Sequence, residues 1–218
     1  MASFLIIGMG RFGSSLAQEL YESGQEVLVL DNNEEISSHM LHHSTKVIIG
    51  DAKDEDVLES LGVKNFDCTV VATTTSLESN LLVSMMLKEK GSKKLVVKAR
   101  DALHAKILQC IGVDMVIRPE YEMGKHLART LASRNVIDVI DISPEYGLIE
   151  FTTPKQWIGK SIRESKPRTK YGIHIMAILK ATSGKMQYSP DSTIVLEKED
   201  ILTGIGPRNA IKSVQTIK

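Results

Sequence analysis

An apolar run at residues 4–7 leads directly into Gly8-Met9-Gly10-Arg11-Phe12-Gly13, and a helix-forming segment begins inside that turn. Few short segments limit a fold so tightly. The first glycine allows a tight turn off a buried strand, and the second lets backbone approach a pyrophosphate. The third lets the helix pack close to the sheet. Free N–H groups and the positive end of the helix dipole then face the phosphates. Met9, Arg11 and Phe12 lie between the glycines and join Gly8, Gly10 and Gly13 as candidate ligand contacts.

The glycine spacing alone is a weak signal, and a second apolar run strengthens it. Residues 27–30 end in Asp31, followed by Asn32. An acid at the tip of a second strand can accept hydrogen bonds from ribose hydroxyls. Strand, glycine turn, helix, strand and acid in this order predict a nucleotide site. The competing reading is a glycine turn without a ligand and an acid that merely caps a strand.

Strand-like runs then alternate with helical patterns. Strands are expected at 46–50, 67–72, 94–98 and 115–118, and helices at 34–43, 54–61 and 102–111. Leu77, Leu81, Met85 and Lys88 trace a further helix, read as presenting an apolar stripe. Strands joined by helices imply right-handed crossovers and a parallel sheet covered on both faces. Six strands match the order 3-2-1-4-5-6 of the doubly wound, Rossmann-like α/β fold.

Pro119 opens one more helix, with Met123, Leu127 and Leu131 one turn apart. From residue 136 the texture changes to short β-like pieces at 136–142, 148–153, 172–181, 192–196 and 201–205, broken by prolines. Helical segments are expected near 158–164 and 209–216. The expected organisation is a nucleotide-binding domain over 1–118, a crossover or dimerisation helix over 119–135, and a small α+β domain over 136–218.

Composition excludes several classes. The 218 residues carry 27 basic and 27 acidic side chains, with no basic stripe interleaved with aromatics, so no nucleic-acid partner is expected. The longest apolar runs are strand-sized, short of the roughly 20 residues that span a bilayer. The early first strand leaves no room for a signal peptide, so a cytoplasmic protein is expected. Cys68 and Cys110 fit no metal or redox spacing and read as two buried thiols. His39, His42 and His43 share a polar helix without a matching carboxylate, and read as a solvated face rather than a metal site. His104 and His126 read as structural. There is no serine elbow, catalytic carboxylate pair or partnered cysteine nucleophile, and no second domain large enough to suggest hydride transfer. Binding without turnover is expected.

Several motifs together resemble one family. They are Gly-Met-Gly-Arg-Phe-Gly, Asp31, Gly50-Asp51-Ala52, Arg118-Pro119-Glu120-Tyr121-Glu122-Met123-Gly124, Trp157-Ile158-Gly159-Lys160-Ser161 and Arg168-Thr169-Lys170-Tyr171-Gly172. The family is that of the RCK (regulator of potassium conductance) proteins of the TrkA/KtrA type, the regulatory subunits of Ktr/Trk bacterial potassium uptake systems. The likeness covers nearly the whole chain and implies a C-terminal RCK domain after the Rossmann-like one. It implies homodimers assembled into an octameric ring. The ring lies on the inner face of the plasma membrane beneath an integral-membrane potassium channel or transporter subunit, which it gates in response to a nucleotide.

Carried over by position, the resemblance gives phosphates to Gly8, Gly10 and Gly13, ribose to Asp31, and adenine to Asp51 and Ala52. Thr73 and Lys98 follow strands four and five, where ligands sit in open α/β sheets. Arg11 resembles an arginine that reaches the terminal phosphate of ATP, and Glu120 an acid near the neighbour's phosphates. A guanidinium in that place can grip a terminal phosphate bidentately, although pairing with a nearby acid is the alternative. ATP or ADP, with Mg or another divalent cation at the phosphates, is thus the implied ligand. In the C-terminal domain, Lys160, Arg163, Lys166, Arg168 and Lys170 face Glu164 alone, which reads as a solvated face or an anion site. Relatives bind cyclic di-AMP there, which points to Arg168 and His174. Two other readings remain open: an NAD(H)-binding redox sensor or small NAD-dependent reductase, and a homo-oligomeric nucleotide sensor serving another partner.

Overall fold

A computed structural model describes residues 1–73, 76–132 and 135–214, the side chains of residues 36–38 and 212 excepted. The chain divides into two units, Met1–Tyr121 and Glu122–Lys218.

In the first unit, the strands β1 (Ser3–Ile7), β2 (Glu26–Asp31), β3 (Lys46–Ile49), β4 (Cys68–Val71), β5 (Leu95–Lys98) and β6 (Met115–Ile117) form one sheet. All pairs are parallel and the order is β3-β2-β1-β4-β5-β6, as the sequence predicts. Between successive strands run α1 (Arg11–Glu22), α2 (Glu34–His39), α3 (Glu55–Leu61), α4 (Leu77–Glu89) and α5 (Ala102–Ile111). A 3-10 turn at Met40–His42 replaces the end of the longer helix expected at 34–43.

The sheet is buried on both faces because successive strand residues point to opposite sides. Leu5 and Ile7 enter one core with Leu30, Leu87 and Leu108, while Ile6 enters the other with Val27, Val70 and Ala17. Side chains start the helices by accepting orphan N–H groups: Asp54 from Asp56, Ser76 from Ser79, and Asp101 from His104.

Two expectations need correction. The buried face of α4 is Asn80, Val83, Ser84 and Leu87, and Met85 is exposed. The predicted stripe of Leu77, Leu81, Met85 and Lys88 is offset, because two polar residues on the inner face find backbone acceptors there. Cys68 is buried as expected, but Cys110 is exposed on the outer side of α5.

The helix α6 (Pro119–Leu131) follows β6, and none of its residues is buried. In the second unit, β7 (Val136–Asp141), β8 (Tyr146–Thr152), β9 (His174–Leu179), β10 (Met186–Tyr188) and β11 (Ile201–Pro207) make an antiparallel sheet ordered β10-β9-β11-β8-β7. Three short helices complete it: α7 (Ile162–Ser165), α8 (Pro167–Tyr171) and α9 (Arg208–Val214). Residues 215–216, included in the last expected helix, lie outside the described residues. Its core centres on Phe151 and Trp157, whose rings meet edge to face at 5.9 Å, with Ile149, Ile173 and Ile211 around them.

Candidate nucleotide-binding site

The chain turns out of β1 at Gly8, whose φ of +95° is left-handed backbone that side chains resist. A methyl group on Gly8 would also meet the backbone nitrogen of Thr73 at 2.8 Å. At Gly13 a methyl would run into the Gly8 carbonyl, so the first turn of α1 folds against the loop that precedes it. Gly10 differs, since a Cβ there would enter open space. Gly10 is also the N-cap of α1, with no side chain closing the helix end. Backbone N–H groups, an uncapped helix start and open approach thus coincide, as anion binding at a helix N-terminus requires.

Beside this turn lies a cleft of about 200 Å³ at the carboxyl ends of β1, β2, β3 and β4. This is the topological switch point of the sheet, where β1 has neighbours reached in opposite directions. Six of the sequence-predicted residues line it: Gly8, Asp31, Asn32, Asp51, Ala52 and Thr73. Apolar Ile7, Leu30 and Val83 form much of the rest. The Asp31 carboxylate accepts the Met9 N–H at 2.5 Å and the Asn33 N–H at 2.8 Å. It therefore fixes the glycine turn to the end of β2.

Phe12, Lys98 and Glu120 form a second group. The Lys98 side chain is 11% exposed, with its ammonium 5.8 Å from the Phe12 ring centroid and 2.5 Å from Glu120 Oε1. The Lys98 hydrogen bond holds the Glu120 carboxyl below the usual carboxylate range. Arg11 is exposed, and no carboxylate among the described residues pairs with it. Lys53 and Ser79 also line the cleft. Lys53 lies one residue past the Gly50-Asp51-Ala52 turn. There it donates its N–H to Asp51 and pairs with the same carboxylate at 3.3 Å.

In the second unit a cleft of about 240 Å³ lies among Lys160, Lys166, Lys170, Trp157 and Tyr171. Arg168 and His174 are exposed and do not line it, and Arg163 instead donates to Ser192 Oγ at 3.1 Å. Glu164 closes a capping box with Ser161, whose N–H bond holds the carboxyl below its usual range. Among the described residues no group of His, Cys, Asp and Glu could hold a metal ion, and no helix is long and apolar enough to cross a membrane.

Residues 4–119 match the TrkA-N domain and residues 148–218 match the TrkA-C domain. The Ktr system potassium uptake protein C of Bacillus subtilis (strain 168) is 37% identical, over 93% of this chain and 91% of its own length. The chain belongs to the TrkA/KtrA family. Ktr system potassium uptake protein A of the same organism is 36% identical over 96% of this chain and 93% of its own. A crystal structure of the GsuK RCK domain matches with a TM-score of 0.67 and 19% identity, over 99% of this chain and 47% of that one. This chain thus has the fold of an RCK domain and spans about half of that longer protein.

For this TrkA/KtrA protein, the glycine turn and Asp31 are the parts most legible from sequence, because strand, turn and acid are neighbours in the chain. Lys53 had a signal in the Asp51 turn. Ser79 had none, since only the path of α4 brings it to the cleft.

Proposed function

We propose that this chain is a cytoplasmic, nucleotide-sensing regulatory subunit of a bacterial potassium uptake system. The collinear 37% identity with a Ktr potassium uptake protein carries the reading, because it runs through both domains. The chain binds a nucleotide without turning it over and passes its state to an integral-membrane, ion-conducting partner.

In this reading adenine and ribose enter the cleft beside Asp51, Ala52 and Asp31. In the same reading the phosphates run along the start of α1, next to the cleft. There Gly10 leaves space and the helix end offers its N–H groups. ATP and ADP share every contact except those at the terminal phosphate. A ligand shifts a two-state equilibrium only by its differential affinity, so discrimination rests on Arg11 and Glu120. Arg11 supports this role by being exposed and by pairing with no carboxylate among the described residues. A divalent cation at the phosphates belongs to the same reading.

The exposed stripe on α6 supports a homodimer, with this helix, which ends at Leu131 rather than at residue 135, crossing to a neighbour, and octameric rings built from such dimers. The basic run at 160–170 supports an anionic second ligand, cyclic di-AMP, at the cleft of Lys160, Lys166 and Lys170, which Arg168 and His174 do not line. Potassium flux into vesicles carrying a Ktr-type membrane subunit tests the function. Adding this chain with ATP should accelerate flux relative to ADP, whereas flux indifferent to chain and nucleotide would refute the proposal.

A further inference from the structure

Asn80 is fully buried on α4, and its amide Nδ2 donates to two backbone carbonyls, Thr73 O at 2.6 Å and Lys98 O at 3.3 Å. Those carbonyls belong to the cleft residue Thr73, just past β4, and to Lys98, the last residue of β5. Carbonyls can only accept, so the amide nitrogen must face them and Oδ1 must face away. Oδ1 meets Nε2 of His104 at 3.0 Å, and His104 is 2% exposed. The other ring nitrogen, Nδ1, accepts the Arg100 N–H at 3.2 Å. A backbone N–H can only donate, so Nδ1 carries no proton and Nε2 carries the single proton of a neutral ring. Both ends of the chain of bonds therefore demand the same tautomer, and burial disfavours a second proton on His104.

From this chain of bonds we infer that Asn80 and His104 are positioning residues of the nucleotide site, which lock the cleft residue Thr73 and the phosphate-side residue Lys98 into one geometry. Thr73 backbone lies against Gly8, so the lock reaches the glycine turn on one side. On the other it sets the strand end from which Lys98 reaches Phe12 and Glu120. His104 touches no ligand itself. Its Nε2–H gives Oδ1 a donor on the side away from the carbonyls, and so reinforces the amide direction that the two carbonyls require. The inference rests on the reading of the cleft as a nucleotide site.

The test is titration of the full chain with ADP, followed by calorimetry, with two substitutions at His104. In His104→Gln the side-chain amide can still donate to Asn80 from near the Nε2 position. In His104→Asn the shorter amide can still accept from Arg100 but does not reach Asn80. ADP affinity should fall about tenfold in His104→Asn and stay within about threefold of wild type in His104→Gln. Asn80→Ala, which also removes the bonds to both carbonyls, should weaken ADP at least as much as His104→Asn, and adding His104→Asn to it should bring no further loss. If Asn80→Ala does not fold, the His104 pair decides alone. Nitrogen-15 spectra of the wild-type ring should show a neutral imidazole with its proton on Nε2. Unchanged ADP binding by His104→Asn, equal damage by both His104 variants, or a proton on Nδ1 would overturn the lock and leave the nucleotide site standing. A wild-type chain that binds no adenine nucleotide would overturn the site and the lock together.

Discussion

Asp31 illustrates how one side chain can serve a fold and a ligand at once. Its two oxygens each accept a backbone N–H, yet a carboxylate has further lone pairs for ribose hydroxyls. Asp31→Ala should therefore weaken every adenine nucleotide by roughly 1–3 kcal/mol, through a lost ribose bond and a loosened glycine turn. Calorimetry checks this, and equal affinities for variant and wild type would remove Asp31 from the site. The glycines and Asp31 were legible because their roles follow from immediate chain neighbours. Asn80 and His104 were not. His104 reads as structural from sequence, and no sequence motif singles out Asn80. Their roles arise only where parallel strand ends place carbonyls beside a helix, which no local pattern records. Arg11 is read from the glycine turn and the resemblance, and its exposure keeps its guanidinium available.

Elements with strong periodicity or clear punctuation were the easiest to read. α5 runs over the expected residues because Asp101 caps it and apolar positions recur along it. The strand expected at 192–196 forms only an isolated bridge between Ser161 and Val195. Its backbone pairs with the loop at residues 159–162 instead of a sheet neighbour, which Ile194, Val195 and Leu196 alone could not reveal. β10 was missed because all three residues of this edge strand are exposed and show no alternation. α8 starts with Pro167 directly after Lys166, whose φ is +51°, so a break lies between two helices where charge alone was visible.

Among the longer helices, α6 stands apart because none of its residues is buried. Met123, Leu127 and Leu131 are 64%, 51% and 75% exposed along one face, an apolar stripe that is left open among the described residues. If a second copy covers it, Leu127→Asp places an unpaired charge in the interface and separates the dimer while each domain stays folded. Light scattering should then report a monomer that still binds nucleotide. An unchanged oligomer would show that the stripe is not the contact.

The whole molecule stores pH dependence in a small set of groups. Folded-state pKa values are lowered at Asp114 by the Leu95 N–H, at Asp101 by the His104 N–H, and at Asp141 by Arg129. A lowered carboxyl stabilises the fold above its unfolded value of 3.8, and that stability is lost as pH falls through the folded value. His104, lowered by burial from 6.5, has the same sign in a higher window. Melting temperature should thus begin to fall below about pH 6.5 and fall more steeply below about pH 4. His104→Gln should abolish the first decline and keep the second. Lys180 has the opposite sign. Burial alone would lower it, but Asp200 at 2.8 Å and Glu197 at 3.0 Å raise it overall. Its contribution is present below 10.5 and is lost as pH rises through the folded value.

The proposed role requires this chain to sense the terminal phosphate of an adenine nucleotide. Calorimetric titration of wild type and Arg11→Ala with ATP, ADP and NADH tests it most directly. ATP and ADP should bind more tightly than NADH, and Arg11→Ala should weaken ATP much more than ADP, since only the third phosphate loses its guanidinium. Tighter binding of NADH than of ATP, with Arg11→Ala affecting all three alike, would refute this role and favour a redox sensor or reductase.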